Sequence, residues 1–380
     1  MNIITLPALI DPHVHFRTPG ATHKEDWISG AKAAIAGGVT TVFDMPNTHP
    51  TTTTYARVLE KKALIDSQLK EAGIPLHYRL FFGADKNQFA QLAQLEQVKD
   101  LIAGVKVFMG SSTGELLMDD EASLDTLFKL CAELGLLVAV HAENEAMIRA
   151  RSITLQSDDF ACHSQIRSPE VAAKALSQAI HLTRKYGTTL YALHIGSRLE
   201  LELLHAAKQE GLPVLIEIAP HYLFLDSTRY ADLKGKAQMN PPLREASDCA
   251  FLWEAIRLGW IDTIGSDHAP HSVHDKSEPY CKCPSGVPGV QTTLPLLLNA
   301  YHQGKITLEK ISELTHHAPK RIFNLPDTDD QVVIDLDLEK TVTPDILYSK
   351  AGWSPYEGMR LKGWPIATIL KGQSYDPSCL

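Results

Sequence analysis

Eight short runs of apolar and β-branched residues punctuate the chain, at 9–14, 40–45, 76–83, 104–109, 136–142, 189–195, 213–219 and 262–266. Between them, apolar positions recur at helical spacing over 26–36, 55–71, 121–134, 169–186, 198–210 and 246–258. Eight strand–helix units over about 270 residues match a (β/α)8 TIM barrel in count and length. A doubly wound open α/β sheet is the alternative that the same alternation permits. After Pro326 the pattern changes: 331–349 alternates with period two, and 363–371 reads as a further strand. The expected division is therefore a barrel over 8–326 and a small, mainly C-terminal β appendage over 327–380, with residues 1–7. An acidic linker at 327–330 joins the two.

The strands carry polar residues where apolar ones are expected. The first ends in His13-Val14-His15, the fourth holds Lys106, the fifth ends at His141, the sixth at His194 and the eighth at Asp267. In a parallel barrel these strand ends converge on one rim, where such folds keep their active sites. Period-two alternation puts His13 and His15 on one face, so both rings can reach one ion. Imidazoles with a carboxylate suit Zn²⁺ or a similar divalent cation. Lys106 sits in an apolar run, where a lone ammonium is costly. Two readings of it stay open from the residues alone. It is a lysine that snorkels or pairs with a carboxylate, or its amine takes up CO₂ as a carbamate that bridges two metal ions. Four neutral imidazoles and one aspartate beside two dications need a further anion, and metals sharing a hydroxide make a nucleophile at neutral pH.

Composition narrows the class. With 36 basic and 45 acidic residues the formal charge is −9, which argues against binding nucleic acid or anionic lipid by bulk charge. No apolar run approaches the roughly 18–20 residues of a membrane helix, and the N-terminus lacks a signal-peptide pattern, so the cytoplasm is expected. The six cysteines, including the Cys281-Lys282-Cys283 pair, read as free thiols rather than a disulfide framework. Seventeen histidines are a high count, but only those at strand ends and inside the motifs below acquire a role; ten others, His163 among them, do not.

Several blocks resemble the amidohydrolase superfamily and, within it, the cyclic amidohydrolases. Ile10-Asp11-Pro12-His13-Val14-His15-Phe16-Arg17 is similar to the first-strand signature of that group. Gly37-Gly38-Val39-Thr40-Thr41 and Asp44-Met45-Pro46-Asn47-Thr48 resemble its second-strand block. Asn240-Pro241-Pro242-Leu243-Arg244 and Ser266-Asp267-His268-Ala269-Pro270-His271 resemble the loop and the motif around the eighth strand. The dihydroorotases match best, because they pair an Arg after H-x-H with an Asn in the second block, here Arg17 and Asn47. Allantoinases usually lack that Asn, and dihydropyrimidinases usually lack that Arg.

The resemblance implies a binuclear site, most simply with Zn²⁺: His13, His15 and Asp267 on one metal, His141 and His194 on the other, and Lys106 as N6-carboxylysine between them. It implies reversible closure of N-carbamoyl-L-aspartate to L-dihydroorotate in pyrimidine synthesis. A hydroxide shared by the metals would be the nucleophile and Asp267 the general acid/base. Arg17, Asn47, Asn240, His271, Ser285 and Gly286 would contact substrate, and Ser112 and Thr113 would belong to a lid loop. The implied partners are a small-molecule substrate, a second copy of the chain, and a transcarbamoylase. An allantoinase-like ureide hydrolase and a non-catalytic scaffold are the rival readings. Only twelve residues precede His13, whereas family members often carry a longer strand-rich segment there. The appendage is therefore expected to come mainly from the C-terminal segment.

Overall fold

The computed structural model describes residues 2–112, 115–155 and 157–380. Eight parallel strands, β2 (Leu9–Val14), β3 (Val39–Asp44), β4 (His77–Gly83), β5 (Ile102–Phe108), β6 (Val138–His141), β7 (Leu190–Ala192), β8 (Val214–Ile218) and β9 (Thr263–Ile264), pair in sequence order. They form a nearly closed (β/α)8 barrel. Its seam is bridged where Val14 pairs with His268 and the His15 N–H donates to the His268 carbonyl at 2.8 Å. β2 and β3 are buried along their whole length, as expected for parallel strands covered by helices.

Local signals start and stop the helices. Asp26 accepts from the Ile28 and Ser29 N–H groups and caps the helix Trp27–Ala36. Pro169 opens Pro169–Tyr186 at a position where its missing N–H costs nothing, and left-handed Gly187 closes it. Inside the barrel, Ile10, Phe43, Phe81, Ala139, Tyr191 and Leu193 pack with Phe323, whose ring lies 4.7 Å edge-on from Phe43.

A second, antiparallel sheet takes the order β1 (Ile3–Pro7), β10 (Gln331–Thr341), β11 (Arg360–Leu370), β12 (Gln373–Tyr375). Val332, Ile334, Trp364 and Leu370 of this sheet share one apolar cluster with Leu294 and Leu298 of the barrel helix Thr293–His302. The Thr368 hydroxyl donates to the Ile35 carbonyl at 2.7 Å, and the Trp353 indole donates to the His271 carbonyl at 2.8 Å. The second contact ties the C-terminal segment to the loop that follows β9. The expected alternation over 331–349 holds only as far as Thr341. Pro344 has no N–H to give a ladder, and Pro344–Ile346 forms a 3₁₀ turn instead.

Candidate active site

The carboxyl ends of β2, β5, β6, β7 and β9 bring His13, His15, Lys106, His141, His194 and Asp267 around one buried pocket. Arg17, His194 and Asp267 have left-handed backbones, with φ of 57°, 43° and 47°. That conformation costs a non-glycine residue roughly 1–2 kcal/mol. Such strain concentrates where side chains must be aimed against the local chain direction.

On one side, the His13 Nδ1–H donates to Glu217 Oε1 at 2.8 Å and the His15 Nδ1–H donates to Asn47 Oδ1 at 2.8 Å. Both rings are thereby fixed with Nε2 inward, 3.2 and 3.1 Å from Asp267 Oδ1. Burial pulls His15 down to about 3, so its ring is neutral. Burial alone would raise Asp267, but the neighbouring His13 and His15 outweigh it and hold the carboxyl well below its usual range. The two inward Nε2 atoms and the carboxylate converge on one point, and a divalent cation there would draw on all three. These three residues offer ligand atoms within 4.8 Å of each other.

On the other side, the His141 Nε2–H donates to Glu143 Oε2 at 2.9 Å, which leaves Nδ1 facing His194 Nε2 at 3.1 Å. Glu143 is fully buried and also pairs with Arg167; burial would raise it, but Arg167 and His141 hold it at about 2. Neither His194 Nδ1 nor Lys106 Nζ has a hydrogen-bond partner among the described residues. Lys106 is 1% exposed, its amine lies 4.7 Å from the Phe108 ring centroid, and burial lowers it to about 7.

Arg17, Asn47, Ser112, Asn240, Ser285 and Gly286 line the same pocket. Arg17 is buried, and its Nε–H donates to the Pro270 carbonyl at 3.2 Å. His271 stands behind this wall, with Nε2 3.1 Å from Arg17 Nη2 and 3.0 Å from the Ser285 carbonyl. Gly286 has φ of 135°, and a Cβ there would fall 2.5 Å from the Ala269 carbonyl, so only glycine lets this loop reach the pocket. Lys276 donates to the Gln238, Pro284 and Gly286 carbonyls at 2.8–3.0 Å. Burial lowers its amine to about 7, yet three acceptors call for the three N–H groups of an ammonium. Thr113 of the expected lid lies outside the described residues. The stem of that loop is held by Arg167 Nη2–H, which donates to the Ser111 carbonyl at 2.6 Å.

Sequence reasoning missed several residues that support this pocket. Glu217 and Glu143 orient His13 and His141. His163, one of the histidines without an expected role, has Nε2 2.9 Å from both the Met239 carbonyl and Asn240 Oδ1, so its N–H donates there and the Asn240 amide nitrogen is left for the pocket. Glu25 gathers the His268 ring, the Ser349 hydroxyl and the Lys350 N–H behind the strand end that carries Asp267. A larger cavity of about 560 Å³ opens at the opposite rim, between Tyr78, Arg79 and Lys320. It contains none of the metal-competent strand-end residues.

Comparisons with known proteins agree with this geometry. The Amidohydrolase family model matches residues 4–327. The dihydroorotase of Methanosphaera stadtmanae is 33% identical over 388 residues, covering 98% of this chain and 85% of that protein. The dihydroorotase of Halobacterium salinarum is 34% identical, covering 97% and 85%. The multifunctional protein CAD of Squalus acanthias is 34% identical over 98% of this chain, which spans only 15% of that longer protein. Among solved structures, the L-hydantoinase (dihydropyrimidinase) from Arthrobacter aurescens superposes with a TM-score of 0.91 at 27% identity, covering 98% of this chain and 85% of that one. Among the described residues, no helix is long and apolar enough to cross a membrane. The chain belongs to the amidohydrolase family and, within it, to the dihydroorotases.

Proposed function

We propose that this protein catalyses the reversible, metal-dependent cyclisation of N-carbamoyl-L-aspartate to L-dihydroorotate in pyrimidine synthesis, using the barrel of residues 8–326 with 327–380 and 1–7 as a buttress. The observation that carries this reading is Arg17: a buried guanidinium on the wall of a pocket floored by His13, His15, His141, His194 and Asp267. A guanidinium there selects a substrate with a carboxylate beside the reacting amide.

His13, His15 and Asp267 would hold one divalent ion, Zn²⁺ in the preferred assignment, and His141 and His194 the second. Carboxylated Lys106 would lie between them. When bound, the ions supply Lewis acidity for the amide carbonyl and lower the pKa of water. The chain's own residues do the rest. The Lys106 amine, neutral in good part near pH 7, attacks CO₂ through its lone pair and releases a proton, leaving an anionic carbamate. This gives the His141–His194 side the negative charge it otherwise lacks. Arg17 and Asn47 would hold the substrate carboxylate, with His271 and the Ser285–Gly286 backbone beside them. Asn240 would offer its amide N–H to a ring carbonyl, since its oxygen is occupied by His163. In hydrolysis, ionised Asp267 would take the proton of the attacking water and deliver it to the departing ring nitrogen; in synthesis the proton runs back. Ser112 and Thr113 would close over the substrate.

The likeness to one segment of a multifunctional protein supports association with other enzymes of the same route, with a transcarbamoylase and a second copy of this chain as the proposed partners. The proposed compartment is the cytoplasm, where thiols stay reduced; all six cysteines are unpaired. The fold likeness to a hydantoinase favours one rival, a hydrolase of neutral cyclic ureides. A substrate panel separates them: kcat/KM for dihydroorotate is expected to exceed that for hydantoin and allantoin by at least about 10²-fold. Equal or better turnover of the neutral rings would overturn the reading.

A further inference from the structure

His271 is held at both ring nitrogens. Its Nδ1 lies 3.0 Å from Lys24 Nζ, and its Nε2 lies 3.0 Å from the Ser285 carbonyl and 3.1 Å from Arg17 Nη2. Burial first, and then the cations Arg17, Lys276 and Lys24, keep this imidazole well below its usual range, so the ring is neutral. A neutral imidazole has one N–H and one lone pair. The Lys24 amine also lies 3.2 Å from Asp275 Oδ2 and pairs with it as an ammonium. An ammonium has only N–H groups to offer, so Nδ1 must supply the lone pair and Nε2 must carry the proton. That N–H donates to the Ser285 carbonyl. Nε2 then has no lone pair in its plane to take an N–H from Arg17 Nη2 beside it, and that guanidinium N–H stays available to an anion.

The opposite tautomer would undo this arrangement. Nε2 would accept from Arg17, the guanidinium would spend a donor on the protein, and the Ser285 carbonyl would lose its partner. We propose that Lys24 is a positioning residue: it fixes the proton of His271 on Nε2 and so keeps Arg17 as a donor for the substrate carboxylate. This rests on the reading of Arg17 as the carboxylate anchor, but the tautomer itself does not depend on which substrate is turned over.

The test is nitrogen-15 NMR of histidine-labelled, substrate-free full-length protein, with the His271 signals identified by their loss in His271→Asn. The wild type is expected to show the Nε2–H form, Lys24→Met the Nδ1–H form, and Lys24→Arg the Nε2–H form again. In kinetics, Lys24→Met is expected to raise KM for dihydroorotate about tenfold, the loss of one hydrogen bond to a charged group, with kcat within about threefold. Lys24→Arg is expected to restore KM. A wild-type Nδ1–H ring, or a Lys24→Met protein that keeps both its tautomer and its KM, would overturn the proposal. A wild type inactive on dihydroorotate would sink the function reading alone, with the tautomer measurement still deciding the role of Lys24.

Discussion

His13, His15 and Asp267 form one side of the histidine cluster, and His141, His194 and Lys106 form the other. On the first side both outer ring nitrogens are bonded, to Glu217 and Asn47, and a carboxylate already lies between the inner ones. On the second side the nearest carboxylate, Glu143, bonds the outer nitrogen of His141 and is claimed by Arg167, so its charge is spent away from the pocket. What remains facing inward there is two imidazole nitrogens and an amine with no hydrogen-bond partner among the described residues. One side thus has its carboxylate as folded, while on the other the proposed carboxylate on Lys106 would supply the missing anion.

The largest effect is expected where the first side loses its inward carboxylate. Asp267→Ala removes both a proposed ligand and the proposed proton carrier, and turnover should fall by at least about 10⁴-fold in a steady-state assay. Full activity in that variant would break the mechanism. Lys106→Met should cost about 10³-fold and act asymmetrically, taking metal content from about two ions per chain to about one by mass spectrometry. Equal loss from both sides would contradict the division drawn above.

Smaller changes sharpen the same contrast. Glu217→Gln and Glu143→Gln should each weaken metal binding by about 10–100-fold, the first on the His13–His15 side and the second on the His141–His194 side. Competition with a graded chelator, followed ion by ion, would resolve the order. The mildest prediction concerns pH. Burial lowers the Lys106 amine from 10.5 to about 7, and only the neutral amine captures CO₂. Reactivation of metal-stripped protein by metal at a fixed concentration of dissolved CO₂ should therefore level off above about pH 8 and slow by about tenfold per unit well below pH 7. A rate that keeps climbing to pH 10 would place the amine at its ordinary value.

Much of this was legible in the sequence, because barrel strands are short, buried and regularly spaced. The run at 9–14 is β2 to the residue, and 262–266 shrinks only to Thr263–Ile264, where the chain turns to aim Asp267. The helix Thr293–His302 escaped notice because Leu294, Leu296, Leu297 and Leu298 give it no polar face, and Pro295 sits in its first turn. The supporting residues were harder to read, since their partners are remote in the chain. Glu25 meets His268 and Ser349 at separations of 243 and 324 residues, and His163 meets Asn240 and Tyr280 at 77 and 117. Glu217 could have been found. An acid inside Val214–Ile218 is the same anomaly that singled out Lys106 inside its own apolar strand.

The measurement that bears most directly on the account is a crystal structure of the metal-loaded protein, with anomalous scattering recorded at the metal edge. Two peaks about 3.5–4 Å apart are expected, with density for a carboxylate on Lys106 Nζ reaching both. An unmodified Lys106 amine beside a single metal held by His13, His15 and Asp267 would contradict it.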